Sequence, residues 1–265
     1  MKKPHIQRDA VAPLPLQIKR WRAGKWHNID EIAAREVSLR ILHPGGETRL
    51  WAWPHECAEL AAGHVLLDCL HDAAPDCPSP RGLIPVTVQE RSGAWHVTLP
   101  PLPLKRQDAV ADADYQPKAA ACAAPQPMDI LTRMDEFLRL PGLWDGTGCY
   151  HRAALFHTAT GRFMRVAEDI GRHNCLDRLA GHIALSGGSS RMNPVDSLLF
   201  VTARISASLY CKARRLGVRC IVSRSAVTSS SIEMAGRQAV TLIGFCRPEE
   251  ERLTVFSDPQ DRFTA

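Results

Sequence analysis

Aromatic residues make up only 6% of this 265-residue chain, and its basic residues do not gather in runs. A nucleic-acid interface built on stacked bases or a charged stripe is therefore not expected. No stretch approaches the roughly 18 uninterrupted apolar residues of a membrane span. The opening MKKPHIQRDAVAPLPLQIKR carries basic residues with no apolar block behind them. A soluble cytoplasmic protein is expected, with neither a membrane nor nucleic acid as partner. The nine cysteines include no CxxC pair, and no Cys and His set has the spacing of a zinc site. Odd in number and scattered, they fit a reducing compartment in which most behave as small buried hydrophobes.

What is present points to a globular fold with one lopsided feature. A hydrophobic share of 45% is ordinary for a chain that buries a core. The formal charge of +5 lies wholly in the second half: residues 1–135 carry 16 basic and 16 acidic side chains, residues 136–265 carry 17 and 12. All of those 17 but Lys212 are arginine. A planar guanidinium matches phosphate and carboxylate oxygens better than an ammonium does, which favours an anionic partner there; lineage bias toward arginine explains the composition equally well.

Residues 15–53 alternate like strands, with PLQIKRW, EVSLRIL and TRLWAW separated by AGKW and HPGGE. HECAELAAGHVLLDCL has helical spacing, and GLIPVTVQE and AWHVTLP are two further strand candidates, the first pushed toward an edge by Pro85. Between Pro100 and Pro127 six prolines and short alanine runs break every pattern, which marks a linker or mobile loop, and Cys122 sits in it. The division is a small sheet-and-helix domain over 1–105, a mobile loop over 106–133 and a larger domain over 134–265. In the larger domain strand and helix alternate: HRAALFHT, FMRVAE, helix 174–185, SLLFVTA, helix 205–216, VRCIVS, helix 229–238, AVTLIGF and RLTVFS. These strands are rich in Val, Ile and Leu with almost no polar alternation, as strands covered on both faces are. The expected class is α/β (α+β overall), with a three-layer larger domain.

In such a sheet, ligands collect where strand carboxyl ends lead into helix N-termini. Three segments fit: EDIGRHN at 168–174, TARIS at 202–206 and SRSAVTSSS at 223–231. Together they offer Arg172, Arg204 and Arg224 with the hydroxyls of Thr202, Ser206, Ser225 and Thr228. Helix capping accounts for any one hydroxyl; a phosphate-binding cleft accounts for three loops with an arginine each. Glu168 and Asp169 are either halves of a buried ion pair beside Arg172 or acceptors for a base or pterin edge. His173 is either structural or a proton carrier. For nucleophilic chemistry Cys122 is the best candidate by exposure, with Lys118 the only basic residue close in sequence.

Residues 165–185, with WDGTGCYHRAAL before and FVTARISASLYCKARRLGVRCIVSRSAVTSSSIEMAGRQAVTLIGFCRPEE after, resemble the FdhD family, the formate dehydrogenase accessory sulfurtransferases. The similarity runs over about residues 30–257 and rests on the EDxGRHN signature and on the order of the TG...H, (T/S)xRIS, SxxT and GFxR segments. The resemblance implies a cytoplasmic homodimer with a cytidine-deaminase-like larger domain. It implies a sulfur carrier that takes a persulfide from a cysteine desulfurase and passes it to the molybdenum or tungsten bis(molybdopterin guanine dinucleotide) cofactor of formate dehydrogenase. Cys122 would bear the persulfide. The cofactor would be held by Phe245, Cys246, Arg247, Pro248, Glu249 and Glu250 together with Arg172, His173, Asn174, Arg204, Ser225 and Thr228.

The sequence departs from the family pattern in several places. Its loop reads ACAAPQP, so Cys122 remains while Pro125 replaces its partner; Ala203, Ser208 and Val227 replace a usual glycine, acid and proline; Glu249 to Glu251 bring negative charge to a phosphate site. One thiol still carries sulfur, but the loss of the second favours an alternative, a binding module or chaperone that holds the guanine dinucleotide cofactor without moving sulfur. No metal is expected, because zinc deamination needs HxE or CxE and a later PCxxC. Residues 151–153 read HRA, and PCxxC is missing.

Overall fold

The Val-, Ile- and Leu-rich runs of the second half do form one sheet. A computed structural model describes residues 12–70, 83–99, 126–144, 146–186 and 194–263. Within it β7 (His151–His157), β8 (Arg162–Asp169), β9 (Ser197–Val201), β10 (Cys220–Ser223), β11 (Thr241–Arg247) and β12 (Arg252–Ser257) lie in the order β12-β11-β10-β9-β7-β8. Strands β9, β10 and β11 are parallel; β7, β8 and β12 run antiparallel to their neighbours. The carboxyl ends of β8, β9, β10 and β11 therefore share one rim with the start of β7.

Both faces of the sheet are covered, which is why its strands lack polar alternation. On one face lie the helices Arg172–Leu185, Ala207–Leu216 and Ser229–Arg237. Their Leu176, Leu179, Leu209, Ala213 and Ala235 pack on Leu155, Leu199, Ile221 and Leu242. The other face is covered by the helix Pro127–Arg139, through Ile130, Leu131, Met134 and Phe137 against Ala154, Phe156, Leu198, Phe200 and Ile243. The domain is thus three-layered. This last helix corrects the reading of 127–133 as the tail of the loop. Proline ended the loop signal but also stands at a helix's first turn, where its missing N–H is no loss.

The small domain is a four-stranded sheet, β4-β3-β6-β5, of β3 (Val37–His43), β4 (Gly46–Ala52), β5 (Thr87–Arg91) and β6 (Ala94–Thr98). Its core of Leu39, Ile41, Ala52 and Val97 is closed by Leu60, Ala61 and Val65. These come from helix α1 (Cys57–His64) and the π-helical turn Val65–Cys69 that continues it. In chain order the later helices are α2 (Pro127–Arg139), α3 (Arg172–Leu185), α4 (Ala207–Leu216) and α5 (Ser229–Arg237). Ahead of the domain, β1 (Leu14–Arg22) and β2 (Lys25–Ala33) form a separate hairpin. AGKW, read as a spacer, is split: Ala23 and Gly24 make the turn and Lys25 and Trp26 begin a strand of their own.

The two domains are joined where α1 crosses α3. A Cβ at Gly63 would overlap the Asp177 carbonyl, and one at Gly181 the Glu59 carbonyl. The helices touch backbone to backbone, a contact only glycine permits. Beside the crossing lies a buried charge cluster. The Lys212 ammonium sits 2.7 and 2.6 Å from the two Asp177 oxygens and 2.9 Å from Asp68. His64 Nδ1 faces Asp68 and Asp177 at 3.3 and 3.6 Å. These carboxylates and the imidazole have ligand-like spacing, but Lys212 already supplies the cation between them.

Candidate functional site

The two acids of EDIGRHN anchor the rim from beneath. Glu168 takes Arg152 Nε and Nη2 at 2.9 and 2.7 Å and the backbone N–H groups of Leu143 and Trp144 at 2.8 and 2.9 Å. Arg152, 1% exposed, donates its remaining nitrogen to the carbonyls of Phe137 and Leu138 at 2.9 and 3.3 Å. One ion pair thus fixes the turn before β7 to the end of α2. Asp169 accepts Arg178 Nε at 3.0 Å, Gly171 N–H at 2.9 Å and Asn174 Nδ2 at 2.9 Å. Arg178 reaches on to the carbonyls of Trp53, His55 and Glu56, and Asn174 to that of Trp51 at 2.9 Å. The partners of the acids are Arg152 and Arg178, not Arg172. Their oxygens are occupied, so neither acid is available to a base edge.

Above this frame the loops are laced together. Arg224 N–H binds the Val201 carbonyl, Ile205 N–H that of Ala226, Thr228 N–H that of Ile205, and Phe245 N–H that of Ser225. Ser223 Oγ donates to the Ala203 carbonyl at 2.7 Å. Ser206 caps α4, whereas Thr228 Oγ1 pairs with Ser231 Oγ at 3.2 Å and Thr202 is buried, accepting from Arg152 N–H at 3.0 Å. The capping explanation therefore holds for Ser206 and not for every hydroxyl.

The structure sorts the expected contact residues by what already holds them. Arg172 and Arg204 are exposed and have no acid partner among the described residues. Arg224 pairs with Glu249 at 2.6 Å, and Arg247 with Glu250 at 2.6 Å. Phe245 adopts φ 47 and lies 5.5 Å from each of the guanidinium groups of Arg247 and Arg252. Cys246 is buried against α2, and Pro248 opens a short 3₁₀ turn ending at Glu250. His173 lies 3.0 Å from Ser208 Oγ; burial, then the charges of Lys212 and Arg172, push its pKa down. His151 is pushed down by burial and Arg172. Both imidazoles are neutral near pH 7 and Arg172 lies near both.

Burial also sorts the thiols. It raises Cys57 to about 11, Cys220 and Cys246 to about 12 and Cys175 well above the ordinary thiol value, so these four remain unreactive thiols. Among the described residues the exposed cysteine is Cys149, on the rim turn before β7. Sequence reasoning passed over it, and over Arg152, for want of any motif beyond TG...H. Cys122 lies outside the described residues.

Fold and rim together define a three-layer α/β protein with an arginine-bearing edge at its strand ends and a small sheet domain docked against it. The sequence model of the FdhD/NarQ family matches residues 34–263, and the chain belongs to that family. It is 26% identical over 242 residues to the protein named Sulfur carrier protein FdhD from Methanothermobacter thermautotrophicus, covering 88% of this chain and 92% of that one. It is 40% identical over 121 residues to its namesake from Bacillus subtilis, a match spanning 46% of this chain and only 44% of the relative. A crystal structure provisionally assigned as a formate dehydrogenase accessory protein from Desulfotalea psychrophila superposes with a TM-score of 0.71 at 23% identity, over 94% of this chain and 98% of the other. At that identity the likeness establishes the fold.

Proposed function

We propose that this protein is a sulfur carrier for formate dehydrogenase maturation. A cysteine desulfurase presents a persulfide; the Cys122 thiolate attacks its outer sulfur, the old S–S bond breaks and the desulfurase leaves as a thiolate. The outer sulfur then passes to the molybdenum or tungsten bis(molybdopterin guanine dinucleotide) cofactor, held as cargo on the rim: the Cys122–sulfur bond breaks, Cys122 leaves as a thiolate, and the cargo's reduced metal supplies the two electrons that bring the sulfane sulfur to sulfide. Relatives named as sulfur carriers support the reading. The observation that carries the cofactor half of it is the pair Arg172 and Arg204, exposed at helix N-terminal loops with no acid partner among the described residues. Seven free cysteines among the described residues suit a reducing cytoplasm.

Incubation with a desulfurase, cysteine and a persulfide-specific label tests the transfer half: the label should fall on Cys122 and vanish in Cys122→Ala. Labelling that persists in that variant, or none in the parent, sinks the transfer role. Pro125, in place of a second loop cysteine, favours the other reading, a module that holds and delivers the cofactor. That reading stands instead if Cys122→Ala still matures formate dehydrogenase while Arg172→Ala does not.

A further inference from the structure

One thiol of the small domain stands inside the charge cluster at the domain crossing. Helix α1 runs on into the π-helical turn Val65–Cys69, closed by Leu70 N–H on the Val65 carbonyl at 3.1 Å. In an α-helix, residue 69 would sit about 140° round the axis from residue 64. The wider i→i+5 turn brings it back over His64. The Cys69 thiol consequently lies within hydrogen-bonding reach of the imidazole and helps hold it protonated. From the other side Thr48 Oγ1 on β4 faces Cys69 Sγ at 3.9 Å, and His43 Nε2 on β3 faces Thr48 Oγ1 at 3.3 Å.

The charges of the cluster do not balance without this thiol. His64, protonated at neutral pH, Lys212 and Arg215 are three cations, while Asp68 and Asp177, which they contact, are two anions. The histidines close by, His43 on β3 and His173 on α3, are pushed down and stay neutral. His64 is 7% exposed, and its Nδ1 makes no formal hydrogen bond, so a buried cation is short of one anion. A thiolate at Cys69 supplies that anion, with an imidazolium and a hydroxyl beside it. Cys69 is only half-buried, which leaves its sulfur within reach of a small molecule.

We propose that Cys69 is a nucleophilic thiol that exchanges with small disulfides, its thiolate held by the imidazolium of His64 and the hydroxyl of Thr48. The thiolate attacks one sulfur of the disulfide and the S–S bond breaks. The other half leaves as a thiolate and takes a proton from water, and Cys69 is left as a mixed disulfide. The disulfide is the oxidant, and an excess of small thiol reverses the step. A disulfide bearing carboxylates suits the site, because the neutral mixed disulfide returns the cluster to a surplus of positive charge. The site is separate from Cys122 and the rim and does not rest on the sulfur-carrier reading.

Glutathione disulfide serves as the probe, on the full-length chain at pH 7 with mass mapping over time. It should modify Cys69 ~5-fold faster than the exposed Cys149, the gain in ionised thiol outweighing the lower nucleophilicity of each thiolate. His64→Gln removes the cation and should slow Cys69 about fivefold while Cys149 keeps its rate. Thr48→Val keeps the side-chain shape, removes the hydroxyl and should slow Cys69 about twofold. If His64→Gln loosens the crossing, Cys57 reacts as well, and Thr48→Val then decides. A Cys69 that stays unmodified, reacts no faster than Cys149 or keeps its rate in Thr48→Val overturns the proposal. So does an unchanged or raised rate in His64→Gln with Cys57 silent.

Discussion

The charge cluster beneath the domain crossing has a distinctive pH signature. Asp68 and Asp177 hold the His64 pKa up at about 11 against the cost of burying it. Nδ1 lies 3.3 Å from Asp68, and its geometry leaves it without a formal hydrogen bond, so the attraction is electrostatic. A raised histidine stabilises fully below its unfolded value near 6.5, and that stabilisation is lost as pH rises toward 11. While the folded chain keeps a proton the unfolded chain releases, stability falls by up to about 1.4 kcal/mol per pH unit. Between pH 7 and 8.5 the other shifted histidines do not interfere. His43, His55, His151, His173 and His182 are shifted down, so their linkage ends by about pH 7. The raised thiols add a slope of their own from about pH 7.5, as unfolded cysteine begins to ionise. Across that window the His64 loss alone is about 2 kcal/mol, which lowers Tm by roughly 4–8 °C for a chain of this size. In His64→Gln the slope should shrink to the part the thiols leave, with Tm at pH 7 below the parent's even at pH 8.5, because the variant lacks the stabilisation the parent keeps until about pH 11. Thermal melts by circular dichroism at constant ionic strength read both. A flat parent profile, or the same slope in His64→Gln, refutes the cluster as drawn.

Gly181→Ala should lower Tm by more than 5 °C, because its Cβ overlaps the Glu59 carbonyl and relief needs α1 to move off α3; over-packing costs roughly 1–3 kcal/mol or more. Glu168→Gln removes the charge that Arg152 and two N–H groups share and should cost about 3 kcal/mol, read as earlier proteolysis near residues 142–144. With an alkylating reagent at neutral pH, Cys149 should react before Cys175, Cys220 and Cys246, which should label only on unfolding; mass mapping decides. Arg172→Ala and Arg204→Ala should each weaken binding of GDP, used as a probe, about tenfold with Tm unchanged, and an unchanged affinity in both removes the rim from the cofactor site.

Much of this architecture was legible because it depends on local pattern. Continuous apolar strands and three-to-four helix spacing placed β7 through β12 and the helices between them within a few residues. Helix α2 was hidden because the proline preceding it satisfies two rules at once, ending a loop or beginning a helix, and only the sheet face left bare decides between them. The rim loops were found for a general reason, strand ends meeting helix starts. Which of their side chains is free was not readable, since partners such as Arg152 for Glu168 and Glu249 for Arg224 are set by strand order. The thiols show the same limit: composition counts nine cysteines, while burial silences four of them.

The arginine excess that first suggested an anionic partner is mostly internal. Arg152 and Arg178 neutralise buried acids; Arg165 ties Glu56 of the small domain; Arg224, Arg247 and Arg252 face Glu249 and Glu250. On the rim, Arg172 and Arg204, in 168–174 and 202–206, are exposed and without an acid partner among the described residues. On the proposed reading, Glu249 and Glu250 compete with a phosphate for Arg224 and Arg247, so a ligand spreading toward Phe245 would have to displace them. Because those pairs are more than a third exposed in most of their members, each holds its arginine only weakly. On the proposed cofactor reading, a cargo should therefore engage Arg172 and Arg204 first, and Arg224 and Arg247 only once a phosphate displaces their acids.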